Sequence, residues 1–393
     1  MMTLIALARR LACGALLAAG LVLPAHAVPP DLETFRVTRP EALLFDRAAR
    51  REVLAAMPPG QRARLCGDAR TGWPKHGVVQ NVYNGKQPGE GFALTMMVAA
   101  AAAFGTDNDA AAEAAASNLR RWAEGGALSR FKENPAPSMY YNLDRTLLPV
   151  IVTFSLARDH PSMAEGDRER IEAWLDDVVW RRGAGRERDP ALTSSHNNHR
   201  YLGDSVTMAW AILQGDDEGF RAGVETYLAA LGQMREDGSL PLETARGSRA
   251  LSYQRHAITS LVAIAEMAAA QGYDLYGIEG PQGQSIHRAI GFLLDGIDQT
   301  TLVWPYAREN ENPRSYRNYK VQDLGFMSRR GHGRHYMAWT EAYLARFPDG
   351  ELADRLREAL AEFGPAEPPL IDDYSGGNMS CFFAPPGAIE ESS

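Results

Sequence analysis

The feature that most constrains the fold of this chain is a helical spacing of apolar residues that recurs along most of its length. In "ALSYQRHAITSLVAIAEMAAAQGYDL", Leu251, Ile258 and Leu261 fall on one face of a helix. That pattern is typical of a helix with one buried stripe. The same spacing predicts helices near residues 92–104, 110–124, 143–158, 165–179, 203–213, 219–235, 251–271, 284–294, 334–345 and 351–363.

The connections between these helices favour one compact barrel. They are loops that carry glycine and proline, such as "GWPKHGVVQNVYNGKQPGEG", and long alternating strand patterns are missing. No self-similar period indicates a solenoid, and no Ser/Gly linker or charge block divides the chain. We therefore predict an all-α fold, an α/α barrel (toroid) of stacked helical hairpins, forming a single domain over residues 28–393. The helix starts and loops at one end of a toroid form a cleft.

The first 27 residues have the pattern of a secretory signal peptide. Arg9 and Arg10 precede an apolar run that ends in the small-x-small sequence Ala25-His26-Ala27. This pattern predicts cleavage after Ala27 and a periplasmic or secreted protein. No apolar run in the sequence is long enough to span a membrane.

The rest of the chain constrains its partners and its redox state. The formal net charge is −8, and the leader contains two of the arginines, so the mature chain carries about −10. This charge argues against nucleic acid as a partner. An acidic polysaccharide stays compatible if basic side chains gather in one cleft. Cys66 and Cys381 remain after processing and could pair in an oxidising compartment, but the sequence alone does not show whether they are close.

Polar side chains crowd the start of one predicted helix. The stretch "TSSHNNHRYLGDSV" places five of them in six positions: His196, Asn197, Asn198, His199 and Tyr201. Ser194 or Ser195 is the expected N-cap, and the helix is established by Leu202. Because such a cluster is costly to bury, we interpret it as a functional site at the mouth of the barrel.

A second stretch, "DGSLPLETARGSRALSYQRHA", supplies complementary chemistry. Arg246, Arg249 and Tyr253 are three and four residues apart, so a helix would project them on one side. Nearby positive charge favours the phenolate, and we therefore expect a lowered pKa for Tyr253. Guanidinium groups bind carboxylates through paired hydrogen bonds. With Asn198 and His199, these residues predict a site for an anionic substrate.

Together the two stretches resemble the alginate lyase superfamily of helical polysaccharide lyases. "NNHRY" is similar to the family's Asn-Asn-His-x-Tyr motif, and "LPLETARGSRALSYQRHA" is similar to its downstream LPxExxRxxRALxYHxxA motif. The order of elements agrees over residues 143–345. The resemblance implies that Asn198, His199, Arg246 and Tyr253 are the catalytic residues.

The family's chemistry implies an acidic polysaccharide as substrate, cut by β-elimination. Asn198 and Arg246 would neutralise the carboxylate beside C5 of a 1,4-linked uronan, as an oxyanion hole does. Tyr253 would abstract the C5 proton and protonate the leaving O4. His199 would either share the base role or hold Tyr253 and the carboxylate in place. This scheme requires no metal and no cofactor, and we expect a monomer.

Departures from the family pattern bear on the substrate. Leu202 replaces a tryptophan, Gln254-Arg255-His256 replaces His-Asn-Tyr, and "VVQNVYNGKQPGEG" stands in place of the Lys-Tyr-Glu-Gly-Ser-Asp lid of alginate-specific members. Poly-β-1,4-glucuronate (glucuronan) and mannuronate-rich alginate are near-equal candidates, because the two sugars differ at C2, away from the reacting C4 and C5. The altered lid favours glucuronan slightly.

Further aromatic, amide and basic side chains are predicted to bind sugar units. Aromatic faces stack on sugar rings, and guanidinium groups pair with successive carboxylates. The predicted substrate-binding residues are Asn81, Tyr83, Lys86, Tyr140, Tyr141, Arg145, Tyr201, Arg249 and Arg330.

Other interpretations of the same residues stay open. His199 is compatible with a structural role, and Arg249 with an ion pair to Glu243. His196 and His199 have a spacing that zinc can use, but no third ligand stands at a usual distance along the chain. His256 is interpreted as structural. The rival functional class is a non-catalytic binding protein for acidic polysaccharide on the same fold.

Overall fold

The computed structural model describes residues 30–67, 72–83, 85–185, 190–310, 316–363 and 368–387, so the predicted signal peptide lies outside the described part. Its helices are α1 Arg47–Ala56, α2 Pro59–Cys66, α3 Glu90–Thr106, α4 Asp109–Glu124, α5 Pro137–Ala157, α6 Glu165–Gly185, α7 Asn198–Gln214, α8 Asp217–Gln233, α9 Pro241–Thr244, α10 Ala250–Ala270, α11 Ile286–Asp298, α12 Trp304–Ala307, α13 Thr340–Arg346, α14 Glu351–Glu362 and α15 Met379–Phe383. Two-residue strands pair as β1 Asn81–Val82 with β2 Arg130–Phe131, in parallel, and β3 Ile371–Asp372 with β4 Gly377–Asn378, antiparallel.

The long helices form two layers. In the described residues the inner wall consists of α3, α5, α7 and α10, which pack side by side in that order. These helices are buried around most of their circumference. The outer helices α4, α8 and α11 each pack on the inner helix that precedes them, and α6 packs against α4, α5 and α7. The molecule is an α/α barrel, which confirms the predicted fold class.

The alternation of inner and outer helices determines where a site can form. Each outer helix returns the chain across the barrel, so the inner helices all begin at the same end. The outer helices of these hairpins begin at N-cap residues. Asn108 caps α4, Asp216 caps α8 and Ser285 caps α11, each through its side-chain oxygen. The N-terminal ends of α5, α7 and α10, where the two sequence motifs lie, are therefore neighbours.

Helix boundaries differ from the predicted ones where tertiary contacts intervene. The predicted helix over residues 334–345 begins only at Thr340, because the backbone N–H of His335 donates to the carbonyl oxygen of Ile371 at 2.9 Å and holds this stretch beside β3. Helices α1 and α2 were not predicted. Asp46 caps α1 by accepting hydrogen bonds from the N–H groups of Ala48 and Ala49.

The C-terminal segment is anchored to the N-terminal helices. A disulfide joins Cys66, the last residue of α2, to Cys381 in α15, across a sequence separation of 315 residues. The guanidinium group of buried Arg50 donates to the carbonyl oxygens of Cys381 and Ala384, both at 2.9 Å. These contacts hold residues 371–383 against the barrel, close to the inner helices. No helix in the described residues combines the length and the apolar character needed to cross a lipid bilayer.

Candidate active site

At one end of the barrel, the starts of three helices bring four polar side chains together. The ring of His199 stacks on that of Tyr141, with centroids 4.2 Å apart and planes 16° from parallel. The Nδ2 group of Asn198 donates to the Tyr141 hydroxyl at 3.2 Å. That hydroxyl also lies 2.8 Å from Nδ1 of His256. Tyr141 therefore connects the starts of α5, α7 and α10.

The first motif begins α7 earlier than its apolar pattern predicts. Asn197, rather than Ser194 or Ser195, is the N-cap, and its Oδ1 accepts a hydrogen bond from the His199 N–H at 3.0 Å. The backbone N–H of Asn198 donates to Oε1 of Glu243 at 2.6 Å. Since Glu243 belongs to the second motif, this bond joins the two motifs directly. A carboxylate at a helix N-terminus is also favoured by the helix dipole.

In the second motif the arginine and the tyrosine do not lie on the same helix. Instead, the guanidinium group of Arg246 lies over the ring of Tyr253. The guanidinium carbon of Arg246 lies 4.1 Å from the centroid of the Tyr253 ring. Arg246 precedes α10 and is followed by Gly247, whose φ of 56° is in the left-handed region. A Cβ at Gly247 would lie 1.9 Å from the carbonyl oxygen of Tyr316. This position therefore needs glycine, both for its backbone angle and for the close approach of another chain segment.

Burial dominates the acidity of Tyr253, and the predicted direction is wrong. Burial raises the pKa of the Tyr253 phenol to about 12; Arg246 opposes this shift, while a hydrogen bond with Tyr316 adds to it. The prediction of a lowered pKa considered the nearby positive charge and left out the loss of solvent, which disfavours the phenolate. At neutral pH the free protein therefore holds Tyr253 as a neutral phenol.

His256, interpreted from the sequence as structural, lies in the middle of the cluster. Its ring centroid is 4.6 Å from that of Tyr374, edge to face, and 5.7 Å from that of Tyr253. Burial, followed by nearby positive charges of which Arg255 is the strongest, holds the pKa of His256 well below its usual value, so the ring is neutral. The only sequence signal for His256 was its position three residues after Tyr253, where the chain departs from the family motif.

The C-terminal segment supplies groups that sequence reasoning missed. The Asp373 carboxylate accepts from Nε of Arg145 at 3.1 Å and from the guanidinium group of Arg334. Burial raises the pKa of Asp373, but these two arginines outweigh it and leave the pKa lowered. The guanidinium carbon of Arg145 also lies 4.9 Å from the Tyr374 ring centroid. Predicted substrate-binding Arg145 is thus held beside the cluster by an ion pair within the protein.

Next to this ion pair lies a second carboxyl group, Asp372, whose pKa is shifted in the opposite direction. Burial and the neighbouring Asp373 raise the pKa of Asp372 well above its usual value, so Asp372 holds a proton more readily than Asp373 does. The aspartates lie at the end of β3, and no local sequence pattern places them near α5 or α10.

The predicted lid residues line the surface next to the cluster. Asn81, Tyr83 and Lys86 are exposed and border a depression of about 400 Å³. Gln87 ties this segment to the cluster, because its Nε2 donates to the Arg145 carbonyl oxygen at 3.1 Å and its Oε1 accepts from Arg334 at 3.0 Å.

Two predicted arginines lie at the exposed edge of the cluster. Arg249 forms its ion pair with Asp323 at 3.6 Å, not with Glu243 as the alternative interpretation held, and stands over Tyr316. Arg330 is exposed, with its guanidinium carbon 5.4 Å from the ring centroid of Tyr336.

Two predicted substrate-binding tyrosines are buried in the core instead. Tyr201 is 1% exposed, and its hydroxyl points to Oε1 of Gln233 at 3.5 Å, on the outer helix α8. Tyr140 is 7% exposed and packs edge-on against Phe131. Both correct the prediction. Successive residues of an α-helix point about 100° apart, so Tyr141 enters the cluster while Tyr140 turns into the core. His196 also turns away, with Nε2 2.9 Å from the carbonyl oxygen of Pro190.

An α/α barrel whose mouth holds an amide, an imidazole, a guanidinium and a phenol has the architecture of a polysaccharide lyase, and comparisons with known proteins agree. A family model described as alginate lyase matches residues 80–304. A protein of Stenotrophomonas maltophilia named polysaccharide lyase is 32% identical over 273 residues, which cover 69% of this chain and 71% of the other. An alginate lyase of Azotobacter vinelandii is 26% identical over 273 residues, covering 68% and 65%.

The same family accounts for the fold. The crystal structure of alginate lyase A1-III from Sphingomonas species A1 is similar, with a TM-score of 0.68, 25% identity and coverage of 91% of this chain and 99% of that one. The chain belongs to the alginate lyase family.

Proposed function

We propose that this polysaccharide lyase cleaves β-1,4-linked polyuronate, either glucuronan or mannuronate-rich alginate, by β-elimination that leaves 4,5-unsaturated uronic acid ends. The observation that carries the proposal is the position of the Arg246 guanidinium over the Tyr253 ring, 4.1 Å from its centroid. Asn198 and His199 join the same cluster through Tyr141 and His256. The names of the relatives, polysaccharide lyase and alginate lyase, support the same substrate class.

Asn198 and Arg246 act on the substrate carboxylate. The C5 proton of a uronate is too weak an acid to remove while the adjacent carboxylate keeps its full charge. Donors that stabilise the developing enolate-like charge lower this barrier, as oxyanion holes do. The Nε atom of Arg246 is buried and has no hydrogen-bond partner among the described residues, which supports a role in receiving a carboxylate from outside the protein.

Tyr253 transfers the proton. Its phenolate takes the C5 proton, the C4–O4 bond breaks as the C4=C5 double bond forms, and the phenol returns the proton to O4. Tyr253 ends as it began, so the step consumes no acid or base. In β-1,4-linked mannuronate or glucuronate the C5 proton and O4 lie on one face of the ring, so one side chain can reach both. Arg246 stabilises the phenolate, and His199, stacked on Tyr141, orients the carboxylate or accepts the phenol proton.

Further side chains bind the neighbouring sugar units. Lys86, Arg249 and Arg330 are exposed at the edge of the cluster and carry the charge that successive carboxylates require. Asn81 and Tyr83 border the depression next to them. We propose that these residues make the subsites on either side of the reacting sugar.

Export, metal independence and a monomeric state complete the proposal. The Cys66–Cys381 disulfide supports an oxidising compartment such as the periplasm or the exterior. Amide, guanidinium and phenol groups can supply the whole elimination, so we expect a chelator to leave the rate unchanged. Gel filtration of the mature chain checks the oligomeric state.

The decisive assay mixes purified protein with glucuronan, polymannuronate or polyguluronate and follows the ultraviolet absorbance of unsaturated ends. We expect absorbance to rise with glucuronan or polymannuronate, and Tyr253→Phe to abolish the rise. Tyr273→Phe is the matched control, since the Tyr273 hydroxyl accepts from Arg36 N at 2.9 Å, beyond the far end of α10. Binding of either polymer without any absorbance would overturn the enzyme and favour the binding protein.

A further inference from the structure

Three side chains behind the reacting groups form a continuous hydrogen-bonded row. Asn198 Nδ2 donates to the Tyr141 hydroxyl at 3.2 Å, and that hydroxyl lies 2.8 Å from His256 Nδ1. Asn198 is 1% exposed, and its Oδ1 is buried without a hydrogen-bond partner in the described part of the chain. An orphaned buried acceptor costs about 1–3 kcal/mol. The row is therefore incomplete at its Asn198 end.

The position of each proton in this row follows from the donors. A tyrosine hydroxyl has one hydrogen. Because the oxygen of Tyr141 accepts from Asn198, its one hydrogen goes either to Nδ1 of His256, at 2.8 Å, or to the Tyr374 hydroxyl, and we assign it to His256. Nδ1 of His256 is then the acceptor, and the neutral ring carries its hydrogen on Nε2. The low pKa of His256, caused by burial and by the neighbouring arginines, is consistent with a ring that stays neutral.

The opposite arrangement uses the same atoms and suits a uronate better. A half-turn of the Asn198 amide exchanges Oδ1 and Nδ2. The Tyr141 hydroxyl then donates to Oδ1 and accepts from Nδ1–H of His256. The Nδ2 group, with two N–H donors, becomes free for the substrate carboxylate. In the first arrangement the end left over is an acceptor, which would repel a carboxylate.

We propose that Asn198, Tyr141 and His256 form a reversible relay, in which binding of a uronate turns the Asn198 amide towards the carboxylate and His256 moves its ring hydrogen from Nε2 to Nδ1. This inference rests on the proposed function of the site. No net charge changes, since the ring loses one hydrogen to solvent and takes one back. Tyr141 and His256 are positioning residues here, and Asn198 alone touches the substrate.

The residue type at position 256 suits this relay. A neutral imidazole nitrogen is either a donor or an acceptor, depending on the tautomer. In the part of the chain that the structure describes, the imidazole contacts the rings of Tyr141, Tyr253, Tyr336 and Tyr374, and none of these groups is a carboxylate that would force one tautomer. The charged groups that act most strongly on the ring are Arg255 and Arg145. Together with burial they lower the pKa of His256, which opposes a second ring proton and leaves both neutral forms accessible.

The direct test is nitrogen NMR of the full mature chain with ring-labelled histidine, in Tyr253→Phe so that no turnover occurs. The probes are the trimers of β-1,4-glucuronate and of β-1,4-mannuronate, and His256→Gln assigns the signal. We expect hydrogen on Nε2 in the free protein and on Nδ1 in the saturated complex. The same tautomer in both states overturns the relay, even if the wild type turns over polymer.

Kinetics give an independent reading. Because the carboxylate gains charge in the transition state, we expect His256→Leu to lower kcat about 10- to 100-fold and to change KM less than about threefold. His256→Gln, whose amide also donates or accepts, should recover most of the loss. If His256→Leu does not fold, Tyr141→Phe removes the central hydroxyl and should show the same split. The relay is overturned if His256→Gln and His256→Leu have equal rates, or if the loss of kcat/KM arises from KM rather than from kcat.

The two proposals fail in different ways. If the wild type cleaves neither polymer, the proposed function falls, and the NMR titration still reads the tautomer directly. If the wild type is active and neither the tautomer nor kcat responds, only the relay falls.

Discussion

Two arginine sites flank the same cluster and have opposite electrostatic surroundings. On one side Arg246 stands over the Tyr253 ring, and its buried Nε finds no acceptor in the described residues. On the other side Arg145 and Arg334 share the buried carboxylate of Asp373. A buried charge without a partner is unfavourable. The difference teaches that Arg145 and Arg334 build the wall of the site, and it supports the proposal that Arg246 receives the carboxylate of a ligand.

The largest effect is expected on the ligand side. Arg246→Ala should lower kcat/KM about 100- to 1000-fold, because it removes charge stabilisation from the transition state. Its melting temperature should stay close to that of the wild type. Arg221→Ala is the control, since Arg221 lies on the outer helix α8, far from the cluster, and forms an ion pair with Glu33. The comparison breaks if Arg246→Ala loses stability and keeps activity.

The wall side should respond in stability instead. Asp373→Asn leaves Arg145 without its carboxylate partner and Arg334 with Glu90 alone, and we expect about 3–5 kcal/mol less free energy of unfolding, measured by urea titration. Asp167→Asn, which breaks a more exposed pair with Arg120, should cost less than about 1 kcal/mol. Because the folded pKa of Asp373 is below its unfolded value, its stabilisation is full above about pH 4 and is lost as the pH falls further. A variant as stable as the wild type would contradict the structural role.

The disulfide sharpens the same distinction. Asp373 and Tyr374 reach the cluster from a segment that Cys381 fastens to Cys66. The double variant Cys66→Ala/Cys381→Ala should lose about 2–4 kcal/mol of unfolding free energy, yet keep more activity below its melting point than Arg246→Ala. Thermal unfolding and the absorbance assay measure both quantities. If the folded double variant lost as much activity as Arg246→Ala, the segment with Asp373 and Tyr374 would have to take part in catalysis.

The smallest expected effect is a slope with pH. The pKa of Tyr253 is about 12, so the phenolate fraction rises with pH throughout the neutral range. We expect kcat/KM to rise by up to about tenfold per pH unit in neutral to mildly alkaline buffer. Arg246 lowers this pKa, so Arg246→Lys, which keeps a positive charge, should keep the slope. A maximum in clearly acidic buffer would argue against Tyr253 as the base.

Much of the barrel was predictable, because helical periodicity is a local signal. The long helices α3 to α8, α10, α11 and α14 were all predicted, most of them to within a few residues. The exceptions are the starts of α5 and α7, expected at residues 143 and 203, and the end of α6, expected at residue 179. The polar start of α7 hid its first turn, since Asn198 and His199 have no apolar spacing. Their caps come from Asn197 and from Glu243, which lies 45 residues further along the chain.

The predicted site was less uniform. Tyr141 and Tyr140 looked equivalent in the sequence, and only the direction of each side chain from α5 separates a cluster residue from a core residue. His256 was underrated because its neighbours come from three other segments. Asp373 and Tyr374 were missed altogether, because they reach the site through β3 and a disulfide rather than through a motif.

By itself the sequence determined the helical class, the order of the hairpins and the two motifs that supply amide, imidazole, guanidinium and phenol, because helix periodicity and helix starts depend on residues a few positions apart. The tertiary structure alone decided which arginine is paired, that Tyr253 is a neutral phenol at rest, and that His256 stands among four tyrosine rings. Burial and electrostatic energy depend on every group within a few ångströms. Here those groups come from α5, α9, β3 and the loops that carry Tyr316 and Arg334, far apart along the chain.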